Sequence, residues 1–272
     1  MISLLKIEWL KIKKYPAFWW MLGIVALTYP GVNFVFYNIY LGLTTKKDFT
    51  SNVAKQLFGN PFAFPETWHS VAYFSSCFVM IPAILVIMII TNEYQYKTSR
   101  QNVIDGWSRG QFITSKILDV AIITIVATLM YLATATAYGF SIKDTNNSNW
   151  AEEIKYIPLF LLQTFAQLSI AFLLGFLIKK AFIALGVFIF YSLIIENIAE
   201  GYLRVKDVSV RRFLPLEISD KLIPVPKFVG KFNGDVYYNK QLSEINTHIL
   251  LTIILTSAIW GLCFYIYKKR DL

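Results

Sequence analysis

Polar and apolar positions along this chain are segregated into blocks. Apolar stretches lie at about 17–41, 70–91, 117–140, 157–178, 181–198 and 247–267, with short polar segments between most of them. A helix of about 20 apolar residues is long enough to cross the hydrocarbon core of a bilayer, so the pattern predicts six transmembrane helices. Pro30 and Pro82 fall inside the first two stretches, where a proline frees one carbonyl and bends the helix. Only Lys179 and Lys180 separate the fourth and fifth stretches, which predicts a tight turn between antiparallel neighbours. Residues 1–16 carry Ile2, Leu5, Trp9 and Ile12 at helical spacing, with Lys6 and Lys13 flanking the stripe. They read as an interfacial helix or as a basic anchor. The 199–246 stretch, with Pro215, Pro224 and Pro226, reads as a large loop of short helices.

Composition supports the block pattern. Of 272 residues, 56% are hydrophobic and 16% charged, against about 25% charged in soluble domains. The fold class expected is an all-α membrane protein with one transmembrane domain over 1–272. The net charge of +9 flanks the apolar blocks, where it orients helices and meets anionic lipid. That use argues against nucleic acid as a partner. Cys77 and Cys263 fall in apolar blocks and read as small core residues. His69 and His248 are far apart and no CxxC pattern occurs, so no metal site is expected. The start lacks the pattern of a cleavable signal peptide.

Six spans put residues 1–16, 93–116, the Lys179–Lys180 turn and the tail on one side, and 42–69, 141–156 and 199–246 on the other. The 26 lysines and arginines divide equally between the two sets, but the first set packs its share into short segments. Basic residues in short loops mark the cytoplasmic side, so both termini are expected there and 199–246 outside the membrane. The sequon at 146–148 is read as accidental if the source is bacterial.

No catalytic set is visible. The chain has no phosphate loop, no G-x-S-x-G and no H-E-x-x-H. Glu152 and Glu153 lack the paired histidines that a membrane protease would need. Charges inside the spans are few: Asp119, three residues from Lys116 and able to pair with it, and Glu196 near the end of the fifth stretch. This argues against an ion-driven relay. Trp19, Trp20 and Trp260 read as interfacial belts.

The polar island "NEYQYKTSRQNVIDGWSRGQFITSK", Asn92 to Lys116, resembles the cytoplasmic segment of ABC transporter permeases of the type 2 exporter class. That family shows a glutamate ending the second span, a Gly-Thr-x-Arg, a Pro-x-Ser-Arg and a lysine opening the third span. The matching positions are Glu93, Thr98, Arg100, Ser108, Arg109 and Lys116. Lys97 stands where glycine is usual, and Gly106 near the usual proline. The opening "LLKIEWLKIKKYPAFW" and the ending "YKKRDL" are also similar to the family's entry helix and basic tail. The resemblance implies a permease subunit of the bacterial inner membrane that forms the substrate pathway with a second permease chain, as a homo- or heterodimer. It implies cytoplasmic ABC ATPase subunits as partners, which bind the ATP and magnesium. This chain itself would hold no cofactor and no ATPase site. The stretch 98–105 would be a coupling helix, with Val103, Ile104 and Trp107 offered to a groove of the ATPase and Arg100 and Arg109 beside them. The residues alone leave two alternatives open: a solvated loop whose charges fix topology, and a secondary transporter or channel.

Overall fold

The computed structural model describes residues 2–45, 59–104, 106–142, 149–206, 209–230 and 234–269. The sequon at 146–148 lies outside them. Among the described residues the structure is helical throughout, without a strand. α1 (Ile2–Lys14) precedes α2 (Pro16–Thr44). α3 (Thr67–Ser76) and α4 (Met80–Gln95) follow, then the short α5 (Thr98–Ile104). α6 (Arg109–Ser141) and α7 (Tyr156–Ile178) are long and continuous. α8 (Ala181–Phe190) runs through a π-helical segment, Tyr191–Ile195, into α9 (Glu196–Val205). The short α10 (Pro215–Asp220) and α11 (Lys227–Gly230) lead to α12 (Asp235–Lys269).

Five helical stretches are long and apolar enough to cross a membrane, and α3 with α4 makes a sixth if the bent pair is one span. The pattern of apolar blocks therefore finds the spans. It misplaces several ends, because helices continue beyond the hydrocarbon as long as their backbone bonds close within the helix. The fifth span continues to Val205, past the expected end at 198. The last helix begins at Asp235, twelve residues before 247. The expected loop at 199–246 is correspondingly shorter.

The second span is broken, with α3 and α4 meeting at 48°. Pro82 lies in the first turn of α4. It has no N–H for the carbonyl of Phe78, and its ring crowds that carbonyl, so the helix cannot run straight through 77–79. Pro30 is carried within a continuous α2. Lys179 closes α7 in the left-handed conformation at φ 60, its N–H bonded to the carbonyl of Gly175. The expected tight turn is made this way, and α8 folds back against α7.

The core is aromatic and aliphatic, centred on α4, α6 and α7. Trp260 is buried rather than set in an interfacial belt. It donates to Ser169 Oγ at 3.0 Å and stacks on Phe172. An indole N–H with a partner inside the bundle has no need of the interface. Trp19 and Trp20 are exposed, as expected of belt residues. Cys263 is a buried core residue, but Cys77 is exposed at the break in the second span.

Two ends of the bundle are tied separately. At one, the Tyr131 hydroxyl donates to Trp68 O, Trp68 Nε1 to Trp150 O, and His69 Nε2 to Pro224 O. At the other, Lys116 of α6 reaches Glu8 of α1, and Arg109 donates to the carbonyl of Lys268 at the end of α12. The N-terminal helix, the island and the end of α12 therefore share one face of the bundle.

α7 packs against α4 at Gly175, where an added Cβ would stand 2.6 Å from Ile90 Cγ2 and 3.4 Å from the Ile87 backbone. Overpacking such a contact costs roughly 1–3 kcal/mol. Gly175→Ala is expected to lower the thermal unfolding midpoint of the purified protein, whereas Gly186→Ala, with nothing within 4 Å, leaves it unchanged or higher. Equal behaviour of the two variants would show that this helix contact is not tight.

Candidate functional site

The island begins where α4 ends and closes where α6 begins. α6 starts with a capping box: Ser108 Oγ accepts from the Gln111 backbone N–H, and Gln111 Oε1 accepts from Ser108 N–H at 2.8 Å. This reciprocal pair satisfies two of the free donors at a helix start. It gives Ser108, a residue of the Ser-Arg motif, a local structural role. Thr98 opens α5 with its hydroxyl on Glu93 O.

Beneath the island lies a cluster of charges. Lys116, seven residues into α6, is 1% exposed. Its ammonium donates to Glu93 Oε1 at 2.6 Å, Asp119 Oδ2 at 2.8 Å and Glu8 Oε2 at 3.0 Å. The three carboxylates come from α4, α6 and α1. Asp119 is in place because residues three apart share a helix face. Lys11 adds a second cation from the rim, 3.0 Å from Glu8 Oε1 and 3.7 Å from Glu93 Oε1. Burial pushes the Glu8 carboxyl up, but Lys116 and Lys11 together outweigh it and hold the group below its ordinary value.

The ammonium has three hydrogens and finds three carboxyl oxygens as acceptors, which is the geometry a buried lysine needs. A cavity of about 340 Å³ opens beside the cluster, bordered by Tyr15, Asn92, Tyr96 and Asp119. Asn92 Nδ2 donates to the Tyr15 hydroxyl at 2.6 Å, tying the start of α2 to the end of α4. Among the described residues no group of histidine, cysteine and acidic side chains is arranged to hold a metal. The site offers charge and mechanical linkage.

The expected coupling residues divide in two. Glu93 and Lys116 are brought together but are buried under the island, so they cannot offer a free surface to a partner. Ile104 is 77% exposed at the end of α5, and Tyr96, just before α5, is also exposed. Trp107 is half-buried, with Lys11 Nζ 5.5 Å from its ring centroid. Arg109 is held by the end of α12. The side chains of Arg100 and Val103, and Asp105, lie outside the described residues.

Two readings of the sequence are corrected here. Beyond Asp119 and Glu196, the two charges expected inside the spans, Glu8, Glu93 and Lys116 are also buried within the protein. Glu8 was hidden because the stripe in α1 was read through Trp9. The buried face runs instead through Glu8 and Ile12, while Trp9 is exposed. A lone acid among lysines, four residues before a buried isoleucine, is the signal that marks it. Glu196 does not simply end the fifth span. Its Oε1 accepts from the N–H groups of Leu216 and Glu217 at 2.7 and 2.8 Å, capping α10 from another helix.

A bundle with five or six helices long and apolar enough to cross a membrane defines a multi-pass membrane protein. The chain matches, over residues 32–272, the family described as protein of unknown function DUF2705, and it belongs to that family. No curated protein matches it.

Removing one partner of a buried ion cluster leaves uncompensated charge and costs about 3–5 kcal/mol. Exposed pairs contribute about 0–1 kcal/mol. Lys116→Met is therefore expected to destabilise the purified protein strongly in a thermal melt, and Lys11→Met, whose side chain is 40% exposed, only weakly. Equal, small losses would show that Lys116 does not hold the three helices together.

Proposed function

We propose that the chain is a permease subunit of an ATP-driven ABC exporter, residing in a bacterial inner membrane and coupled to a separate ATPase. The observation that carries this reading is α5. A two-turn helix between two spans places Ile104 in the open, on the face shared with α1 and the end of α12. An exposed apolar side chain on a short, charged surface helix suits a groove on a partner. The cluster beneath gives α5 a firm seat, because Glu93, in the last turn of α4, accepts from Thr98 Oγ1 at its backbone carbonyl and is bonded through its side chain to Lys116 of the next span. A push on α5 would be delivered to α4, α6 and α1 together. In this reading α1 lies along the membrane interface, the island and both termini are cytoplasmic, and α10 and α11 lie outside.

A second reading, a secondary transporter or channel, draws on the same buried charges, since ionisable groups within spans mark ion routes. It predicts transport that continues without ATP.

The partner is tested by co-purification of the chain with a candidate ABC ATPase, both expressed in a bacterial host. Ile104→Asp is expected to weaken retention about thirtyfold, the equivalent of about 2 kcal/mol for a central apolar contact, with the thermal midpoint unchanged. Trp107→Ala is expected to lower stability as well, because Trp107 packs on Lys11. Full retention of the ATPase by Ile104→Asp would remove α5 as the contact.

Orientation is tested in a background lacking Cys77 and Cys263. A cysteine at Ser108 should be shielded from an impermeant thiol reagent in intact cells, and one at Asn239 should react. The reverse pattern would place the island outside and end the ATPase reading.

A further inference from the structure

Two irregularities of the spans meet at one recess. The second span is broken at 77–79, and the fifth carries the π segment Tyr191–Ile195. Cys77 and Ser192, one from each, line a cavity of about 410 Å³ closed by α7 and α10. Irregular backbone at membrane depth persists where protein or a water-filled cavity borders it, and π segments recur at functional sites.

Two acceptors stand out among the polar groups of this recess, the carboxylate of Asp220 and the amide oxygen of Gln163. Gln163 and Gln167, one turn apart on α7, both donate through Nε2 to the same atom, Asp220 Oδ1, at 2.9 and 2.7 Å. That fixes the amide of Gln163, since the flipped orientation would set oxygen against a carboxylate. Gln163 is 1% exposed, and its Oε1 has no hydrogen-bond partner among the described residues. Lys221, the cation at the rim, is committed to Glu217 at 2.9 Å. The apolar walls are Tyr73, Met80, Phe188 and Leu193.

We propose that this recess binds a protonated primary amine carried on an apolar body, with the ammonium on Asp220 and Gln163 Oε1 and the apolar part against Tyr73, Phe188 and Leu193. An ammonium brings three donors to a site with a carboxylate and an orphaned amide oxygen. It also supplies the charge that the recess lacks. Asp220 is open to the recess yet crowded by protein, and burial, with Glu217 and Glu196 adding, pushes its carboxyl up to about 7 against the pull of the two glutamine donors. The same chemistry is carried by a lipid with an ethanolamine head group and by a soluble cationic amphiphile. Binding of either is independent of an ATPase, so this inference and the permease reading fail separately.

Cys77 is the reporter. The intact chain in phosphatidylcholine nanodiscs is treated with an uncharged maleimide, and the rate at Cys77 is compared with decylamine, with decanol and without either. Decylamine is expected to protect Cys77 and decanol, with the same chain and no charge, to fail. Asp220→Asn is expected to need at least tenfold more decylamine. In the unaltered protein, protection relative to the ligand-free rate at each pH should strengthen about tenfold from pH 6 to pH 8, as Asp220 ionises through about 7. Among the described residues, the charged and titratable groups around Asp220 are Glu217 and Lys221 from α10 and its end, Glu196 from α9, Tyr73 and Cys77 from the second span, and His248 and Glu244 of α12, which packs on α10, while α7 presents only amides. Ethanolamine lipid in the disc protecting Cys77 without decylamine would identify a lipid source. Protection by decylamine alone would identify a soluble one. Equal protection by amine and alcohol, or protection indifferent to both pH and Asp220→Asn, would overturn the proposal.

Discussion

The ammonium of Lys116 is the point on which the polar half of this bundle depends. It is removed from water, and in that setting a lone charge would be untenable. Three carboxylates from α1, α4 and α6 answer it within 3.0 Å. The cluster therefore does more than neutralise a charge. It fixes the position of the N-terminal helix by tying Glu8 to α4 and α6.

The rest of the island follows from that anchor. α5 is too short to be stable as an isolated helix. It persists because Glu93 is held on one flank and the capped start of α6 on the other. Its most apolar described side chain, Ile104, is then left pointing away from the protein. Arg109 reaches the end of α12 across the same face, so chain segments distant in sequence converge around α5. This concentration of fixed geometry around a small exposed apolar point supports reading it as a place where force is received.

The opposite end is built on a different principle. There the spans lose regularity: one breaks beside Pro82, another loosens into a π segment, and Glu196 caps a helix that is not its own. Each irregularity frees backbone or side-chain polarity that the hydrocarbon interior would not accept. They are gathered around a recess whose polar wall is Gln163, Gln167 and Asp220. Neither glutamine attracts notice in an apolar block, and Asp220 lies in a proline-rich stretch. Only the return of α10 beneath α7 brings them within hydrogen-bond distance.

Block hydropathy by itself determined the helical class, the places of the long apolar helices and the turn at Lys179–Lys180, because burial in hydrocarbon obliges each segment to satisfy its own backbone. The Lys116–Asp119 pair was legible for the same reason, being one turn of helix apart. The role of Glu8 was not, since it lies 108 positions from Lys116, and no local periodicity relates them. Glu93 was visible as a motif residue, but its burial was not, and the exposed Cys77 and buried Trp260 were read the wrong way round. Which face of a span meets lipid, a neighbour or a cavity is settled by how the helices pack. That packing depends on side-chain shape and on the pairing of charges across the bundle, which only the tertiary structure decides.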